Sequence, residues 1–191
     1  MNFCFWTPGQ NPTKWQIDNQ TGYFALCAAI NRAIAEGIDI TNPEFYSTIT
    51  FEKLSYILRS DDPLTMCPMI PERITSLHQV GLKLISKFDG KFENCVKTAE
   101  KSAEKLLQLI VEEFECFRDE ATYNGERVQI LKRAQILVGD IWACYRGKGL
   151  GEFDDLGKIT MFADYRVPQV LVHFGAIEYS DELMASLKSG N

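Results

Sequence analysis

Asp164 is the residue whose type and neighbours are most suited to catalysis. It lies in the segment Thr160-Met161-Phe162-Ala163-Asp164-Tyr165-Arg166-Val167-Pro168. Its carboxylate stands among apolar and aromatic neighbours, where the loss of water can tune a pKa. Because Pro168 fits only in the first turn of a helix, a helix should begin between Asp164 and Val167. An aspartate at a helix start is also a common N-cap. The pattern therefore allows catalysis or capping, and capping is the more frequent role.

Other reactive side chains show no catalytic pattern. His78 and His173 lie on predicted helices with apolar neighbours and have no Ser or Cys nucleophile at a recognisable motif spacing. Three tryptophans could stack on a base or pack in the core, and the sequence does not choose between these roles: Trp6, Trp15 and Trp142. Three acidic pairs lie beside turns or on solvated helix faces and are assigned no catalysis: Asp61-Asp62, Glu112-Glu113 and Asp154-Asp155.

Cysteines and glycines do not indicate a cofactor. The six cysteines lie 21 to 40 residues apart without a CxxC pair, so they predict reduced core thiols and no metal site: Cys4, Cys27, Cys67, Cys95, Cys116 and Cys144. The glycine cluster at Gly147, Gly149 and Gly151 lacks the spacing of a phosphate-binding loop and predicts a turn.

Hydrophobic periodicity predicts that helices position these groups. A β-hairpin should open the chain, with strands at Asn2 to Trp6 and Lys14 to Ile17 around the turn Pro8 to Pro12. A tight turn is expected at Asn124-Gly125 between short extended pieces. The predicted helices run from Thr21 to Glu36, from Thr50, from Pro71 to Gly90, from Ser102 to Phe114, from Gln129 to Tyr145, from near Asp164 to Gly175, and from Ser180.

Length and composition predict one globular domain. The 191 residues, 46% of them hydrophobic, can bury a core. Twenty basic and 26 acidic side chains give a formal net charge of −6, which disfavours a surface that tracks the phosphates of duplex DNA or RNA. No signal peptide or membrane span is visible, so we expect a soluble protein of the cytoplasm that does not bind membranes.

Five ordered segments carry a resemblance to a known family. They are Asn2-Phe3-Cys4-Phe5-Trp6, Thr21-Gly22-Tyr23 with Leu26 to Ala33, Leu58-Arg59-Ser60-Asp61, Lys132 to Val138, and Ile159 to Gln169. Over nearly its whole length the chain resembles the queuosine salvage proteins, nucleosidases that release the base queuine from queuosine 5′-phosphate. The resemblance implies a mainly α-helical fold similar to the helix-hairpin-helix DNA glycosylases. It also implies that residues 1–191 form a single domain that lacks further N- and C-terminal segments of the family.

The resemblance implies a role for two residues of the segment around Asp164. Asp164 would be the catalytic carboxylate and Phe162 would line the queuine pocket, while no metal or cofactor is required. For the 5′-phosphate, an acidic protein must supply local donors, and the candidates are Lys132 and Arg166. Arg166 could equally form a salt bridge with Asp164. The expected protein is a monomer that binds the small-molecule substrate queuosine 5′-phosphate.

Two alternatives stay open. A helix-hairpin-helix glycosylase acting on damaged DNA could use Lys132 as a Schiff-base nucleophile, although the net charge disfavours that partner. A chain without the further C-terminal region of the family could instead be a non-catalytic module that binds queuine or its nucleotide.

Overall fold

The computed structural model describes residues 1–6 and 14–189. Helices dominate the described residues, so the predicted mainly α-helical class is confirmed. The α-helices are α1 (Gly22–Ala35), α2 (Pro43–Tyr46), α3 (Phe51–Ile57), α4 (Ile70–Lys87), α5 (Phe92–Thr98), α6 (Ala103–Glu113), α7 (Lys132–Cys144), α8 (Arg166–His173) and α9 (Asp181–Ser189). The strands form two antiparallel hairpins, β1 (Gln16–Ile17) with β2 (Gln20–Thr21) and β3 (Glu120–Tyr123) with β4 (Glu126–Gln129). Among the described helices, none combines the length and the apolarity that a membrane span requires.

The core lies between α1, α3, α4, α6 and α7, whose apolar faces supply most of its side chains. Leu106 and Ile110 of α6 are fully buried, as are Ala134 and Val138 of α7. Because these two helices pack directly on each other, α7 has one face fixed in the core and other faces free to hold further segments. On α4, Gly81 permits the close approach of α2.

Arg73 of α4 is completely buried and ties the start of the chain to this helix. Its Nη2 donates to the backbone carbonyls of Phe3 at 2.8 Å and Cys4 at 2.6 Å, and its Nε donates to the carbonyl of Pro68 at 2.9 Å. Nη1 donates to the carbonyl of Met1. Burial lowers the pKa of Arg73, and these four acceptors compensate for the water that the guanidinium has lost.

The predicted N-terminal hairpin exists, but its strands differ from the expected ones. Gln16–Ile17 pairs with Gln20–Thr21 across a turn at Asp18-Asn19, and Asn2 to Trp6 forms no strand. The carbonyls of that segment bond to Arg73, which a local sequence pattern does not reveal. The predicted turn from Pro8 to Pro12 lies outside the described residues.

Most predicted helix starts agree with the structure because capping side chains mark them. The Thr50 hydroxyl accepts the backbone N–H of Lys53 in α3, and the Ser102 hydroxyl accepts that of Lys105 in α6. The helix predicted from Gln129 begins later, at Lys132, because Gln129 pairs with Glu120 at the end of the second hairpin.

The second hairpin confirms the predicted tight turn. Asn124 and Gly125 have φ values of 50° and 82°, the left-handed conformations that a type I′ turn requires at both central positions. The predicted turn around Gly147, Gly149 and Gly151 is also present and includes a short 3₁₀ helix at Gly149–Gly151.

Replacing the buried guanidinium should destabilise the fold strongly. Arg73→Met leaves four backbone carbonyls without their donor, and each unsatisfied buried group costs about 1–3 kcal/mol. We expect the free energy of unfolding, measured by urea denaturation, to fall by more than about 3 kcal/mol. Arg127→Met is the matched control, because Arg127 pairs with Glu120 on the exposed hairpin, where ion pairs contribute about 0–1 kcal/mol. Equal losses in the two variants would contradict this assignment.

Candidate active site

The candidate site is organised by one face of α7, which holds the segment 159–164 that precedes α8. Lys132, Gln135 and Gly139 share this face because residues three and four apart are neighbours on a helix. Each of the three contacts a different residue of the segment. The segment is therefore fixed by α7 over its whole length.

Gln135 makes the first of these contacts. Its Oε1 accepts hydrogen bonds from the backbone N–H of Thr160 at 2.8 Å and from the Thr160 hydroxyl at 2.9 Å. The Gln135 side chain is itself oriented, since Nε2 donates to the carbonyl of Ile130. Only 6% of Gln135 is exposed, so water cannot easily replace these partners.

Gly139 makes the second contact, with the ring of Phe162. A Cβ atom at position 139 would lie 2.9 Å from Cζ of Phe162, closer than real side chains approach. The ring edge thus rests against the helix backbone, and a side chain at position 139 would have to displace the ring. Phe162 is nevertheless 42% exposed, and this exposed part of the ring is available to a ligand.

Lys132 makes the third contact, an ion pair in which its Nζ lies 3.2 Å from Oδ2 of Asp164. The other carboxylate oxygen accepts the backbone N–H of Arg166 at 2.8 Å, at the start of α8. Both side chains are part-exposed, with 28% of Asp164 accessible. Asp164 therefore accepts a backbone N–H at the start of α8, as its sequence position predicts, although the N-cap residue itself is Tyr165, and it does so beside a lysine from another helix.

These contacts lower the pKa of the Asp164 carboxyl below its ordinary value. The largest cause is the hydrogen bond from the Arg166 backbone N–H, partial burial opposes it, and the Lys132 ammonium lowers the pKa further. The group is consequently an anion at neutral pH. Such a carboxylate is suited to stabilising positive charge or orienting water, and less suited to taking up a proton.

Arg166 does not pair with Asp164 through its guanidinium. Its Nη1 donates to Oε1 of Gln169 at 3.3 Å, and the guanidinium carbon lies 5.1 Å from the centre of the Tyr165 ring. Among the described side chains, Lys132 is the salt-bridge partner of Asp164. The side chain of Arg166 is exposed and accessible to an anion.

Leu131, the residue before α7, has an unusual backbone conformation that sets the position of Lys132. Leu131 has a φ of 53°, a left-handed conformation that costs a non-glycine residue about 1–2 kcal/mol. Asp119 stabilises the bend, since its carbonyl accepts the N–H of Ile130 at 2.9 Å and its carboxylate accepts that of Lys132 at 3.3 Å. Strain of this kind is frequent at functional sites. It places Lys132 at the first position of α7.

The histidines, the tryptophans and Asp155, which the sequence analysis also considered, have the contacts or the exposure of structural and surface residues. His78 Nε2 lies 2.9 Å from the carbonyl of Ile49, and His173 is exposed. Trp15 is buried and donates to the carbonyl of Leu58, whereas Trp6 and Trp142 are half-exposed. Asp155 is a capping residue, because its carboxylate accepts the Ser102 hydroxyl and the first backbone N–H groups of α6.

The cysteines are unpaired thiols, but only some belong to the core as predicted. Cys67 and Cys95 are buried, and burial raises the pKa of each thiol to about 11. Cys4 and Cys144 are exposed, which corrects the expectation for these two. Within the described ranges, no group of three or more His, Cys, Asp or Glu side chains is arranged to hold a metal ion.

Comparison with known proteins adds the family. All of residues 1–191 match the family described as "Queuosine salvage protein". The chain belongs to the queuosine salvage protein family. Similar proteins named "Queuosine 5'-phosphate N-glycosylase/hydrolase" are found in Mus musculus, with 48% identity over 193 residues, and in Nematostella vectensis, with 43% identity over 195 residues. A bacterial protein with the same name, from Sphaerobacter thermophilus, is 38% identical over 187 residues.

These family members are longer than the chain. The matches cover 100%, 100% and 96% of the chain but only 57%, 55% and 56% of the mouse, Nematostella and Sphaerobacter proteins. The chain therefore spans about half the length of the curated relatives it matches. The segment with Phe162 and Asp164, and the α7 face that holds it, both lie within the shared region.

Lys132, Phe162 and Asp164 were predicted from the sequence, and the structure brings them together on one side of α7. Gln135 and Gly139 were not predicted. Both were within a helix predicted from periodicity, three and seven residues after Lys132. That spacing places them on the face of Lys132 and is the signal that could have found them.

Substitution of Gly139 should test the contact with Phe162. The methyl group of Gly139→Ala meets the ring, and such overpacking costs about 1–3 kcal/mol, which outweighs the gain of about 1 kcal/mol in helix propensity. We expect a lower free energy of unfolding, and a smaller loss when Phe162→Leu is added. Gly157→Ala is the control, because a Cβ there meets nothing within 4 Å. A loss that is unchanged by Phe162→Leu would show that the ring is not what the methyl group meets.

Proposed function

We propose that the chain hydrolyses the N-glycosidic bond of queuosine 5′-phosphate, giving queuine and ribose 5-phosphate. Membership of the queuosine salvage family and the names of the longer relatives support this assignment. The observation that carries it is the pairing of an ionised carboxylate, Asp164, with an exposed aromatic ring two residues earlier, Phe162, on one face of α7. The carboxylate can stabilise the positive charge of a sugar cation, and the aromatic ring can stack on a flat base.

The carboxylate of Asp164 is the proposed catalytic group. When the C–N bond breaks, its electron pair leaves with the base and the ribose becomes an oxocarbenium-like cation. A nearby carboxylate stabilises this charge and orients the water whose oxygen bonds to the sugar carbon. The water gives up one proton to the solvent and the departing nitrogen takes one from the solvent, so that one water is consumed for each base released. The lowered pKa of Asp164 favours the electrostatic role, because the group stays charged throughout. These steps require no metal ion or cofactor.

Phe162 is the proposed platform for the base. The exposed part of its ring offers an apolar surface on which a deazapurine can stack, and base–aromatic stacking commonly contributes about 1–3 kcal/mol. The contact with Gly139 fixes the ring, so little side-chain freedom is lost when a ligand binds. Phe162 thus contributes orientation of the substrate as well as affinity.

The decisive experiment compares Asp164 with its asparagine variant. Purified chain is incubated with queuosine 5′-phosphate, and free queuine is measured by chromatography. Asp164→Asn keeps the capping hydrogen bond but loses the negative charge, so we expect a folded protein with a rate reduced about a thousandfold, equivalent to about 4 kcal/mol. Queuine should still bind.

The control for this substitution is Asp155→Asn. Asp155 also accepts backbone N–H groups at a helix start, yet it lies at α6 and outside the candidate site. We expect it to lower stability by at most about 1 kcal/mol and to leave the rate unchanged. If Asp164→Asn retained more than about a tenth of the wild-type rate, a deficit of about 1.4 kcal/mol, the carboxylate would not be the catalytic group.

Recognition of the 5′-phosphate is proposed for Lys132 and Arg166. Arg166 is exposed beside the start of α8, and Lys132 supplies the cation that lies against Asp164. A cation contacting the phosphate should favour the nucleotide over the unphosphorylated nucleoside. We expect Arg166→Ala and Lys132→Ala to lower kcat/KM about tenfold more for queuosine 5′-phosphate than for queuosine, equivalent to about 1.4 kcal/mol. Equal losses on both substrates would remove phosphate recognition from these residues.

The two alternatives make different predictions in the same assays. Lys132 is engaged in an ion pair with Asp164, which gives no support to a free amine nucleophile acting on damaged DNA. Because the chain spans about half the length of its relatives, a binding module remains the second candidate. Binding of queuine without hydrolysis of its nucleotide would favour that module.

We also propose that the protein acts in the cytoplasm as a monomer, without binding duplex nucleic acid or membranes. The net charge of −6 and six unpaired thiols support this setting. The expected similarity to helix-hairpin-helix DNA glycosylases and the single domain over residues 1–191 stay predictions.

A further inference from the structure

Helix α8 presents an apolar stripe that the rest of the described chain leaves largely uncovered. Val167, Val170, Leu171 and Phe174 recur at the spacing that places them on one face of the helix. Yet 50% of Val170 and 78% of Phe174 are exposed, and within residues 166–173 of α8 no side chain is buried. The stripe therefore has the sequence pattern of a core-facing helix without the core contacts.

Helix α9 repeats this arrangement on a smaller scale. Leu183, Met184 and Leu187 lie along one side of it, and both leucines are about half-exposed. Among the described elements, neither α8 nor α9 packs extensively on another helix or strand. The two helices have eight and nine residues, and isolated helices shorter than about 12–15 residues are marginal in water. Both therefore need a partner on their apolar stripes, which together we call the α8–α9 surface.

The longer relatives contain a region that could supply this partner. The match covers 57% of the mouse protein, 55% of the Nematostella protein and 56% of the Sphaerobacter protein, so about 43%, 45% and 44% of these chains lie outside it. Animal and bacterial relatives thus share a further region of similar size. Because the match to the mouse and Nematostella proteins covers 100% of the chain, it includes α8 and α9. In those proteins the two helices and the further region belong to one polypeptide.

We infer that the α8–α9 surface is the docking surface for a polypeptide region equivalent to the part of the longer relatives that lies outside the match. Its recognition is apolar: aliphatic and aromatic side chains of that region pack on the two stripes. Phe174 is the anchor, since it is the most exposed aromatic side chain of the described residues. The inference rests on the exposed stripes and on the lengths of the relatives, and not on the proposed function.

The test supplies that region from two relatives. The part of the mouse protein outside the match, and separately that of the Nematostella protein, is co-expressed with the chain, and complexes are measured by size-exclusion chromatography with light scattering. We expect a complex in which the amides of α8 and α9 exchange hydrogen more slowly than in the chain alone. Phe174→Asp places a charge in the interface and should weaken association by at least about tenfold. Tyr123→Asp on the hairpin is the matched control, because Tyr123 is 71% exposed, and it should leave the complex unchanged.

Three results would overturn the inference. The first is the absence of a complex with either region, and the second is equal weakening by Tyr123→Asp and Phe174→Asp. The third is a dimer of the chain alone that Phe174→Asp dissociates, because a second copy would then cover the α8–α9 surface. Since Phe174 is exposed, its variant should keep the urea unfolding transition of the wild type, and the uncharged Phe174→Gln should weaken the complex in the same direction. None of these measurements depends on hydrolysis of a nucleotide, so their failure would leave the proposed function standing.

Discussion

The site depends on the attachment of the segment 159–164 to one face of α7. This segment has no regular secondary structure, so its backbone groups need partners outside it. Gln135 supplies the first, accepting two hydrogen bonds from Thr160 in a nearly dry position. Contacts at Gly139 and Lys132 then fix Phe162 and Asp164. Three residues of a rigid helix thereby set the positions of an aromatic ring and a carboxylate, which is the type of preorganisation that catalysis requires.

The helix that performs this task is itself held from several directions. Its buried face packs on α6, and its start is fixed by the strained Leu131 and by Asp119. On another face of α7, the Arg133 guanidinium lies 5.3 Å from the centre of the Phe3 ring. Phe3 belongs to the N-terminal segment that Arg73 anchors. The buried arginine of α4 thus acts on the site indirectly, because it secures the N-terminal segment that covers part of α7. Its long-range contacts are a structural condition for the site and not a part of the proposed chemistry.

Local features of the fold could be predicted from the sequence, and features that depend on distant contacts could not. Thr50, Ser102 and Pro168 mark helix starts because capping and proline geometry act within one turn. The strand expected at Asn2 to Trp6 failed because the carbonyls of that segment bond to Arg73, about 70 residues away. The same limit applies to the site. The neighbours of Asp164 make it a candidate, but its catalytic role and the role of Phe162 are implied by the family resemblance and not by the residue pattern. The contact at position 139 exists only once Phe162 rests on α7.

The most direct test of the account is a crystal structure of the Asp164→Asn chain with queuosine 5′-phosphate. The substitution should preserve the fold and the ligand while preventing hydrolysis. We predict an intact nucleotide whose deazapurine stacks on Phe162, with the anomeric carbon of the ribose facing the side chain at position 164. A nucleotide bound away from this face of α7, or a base that leaves the Phe162 ring uncovered, would contradict the account.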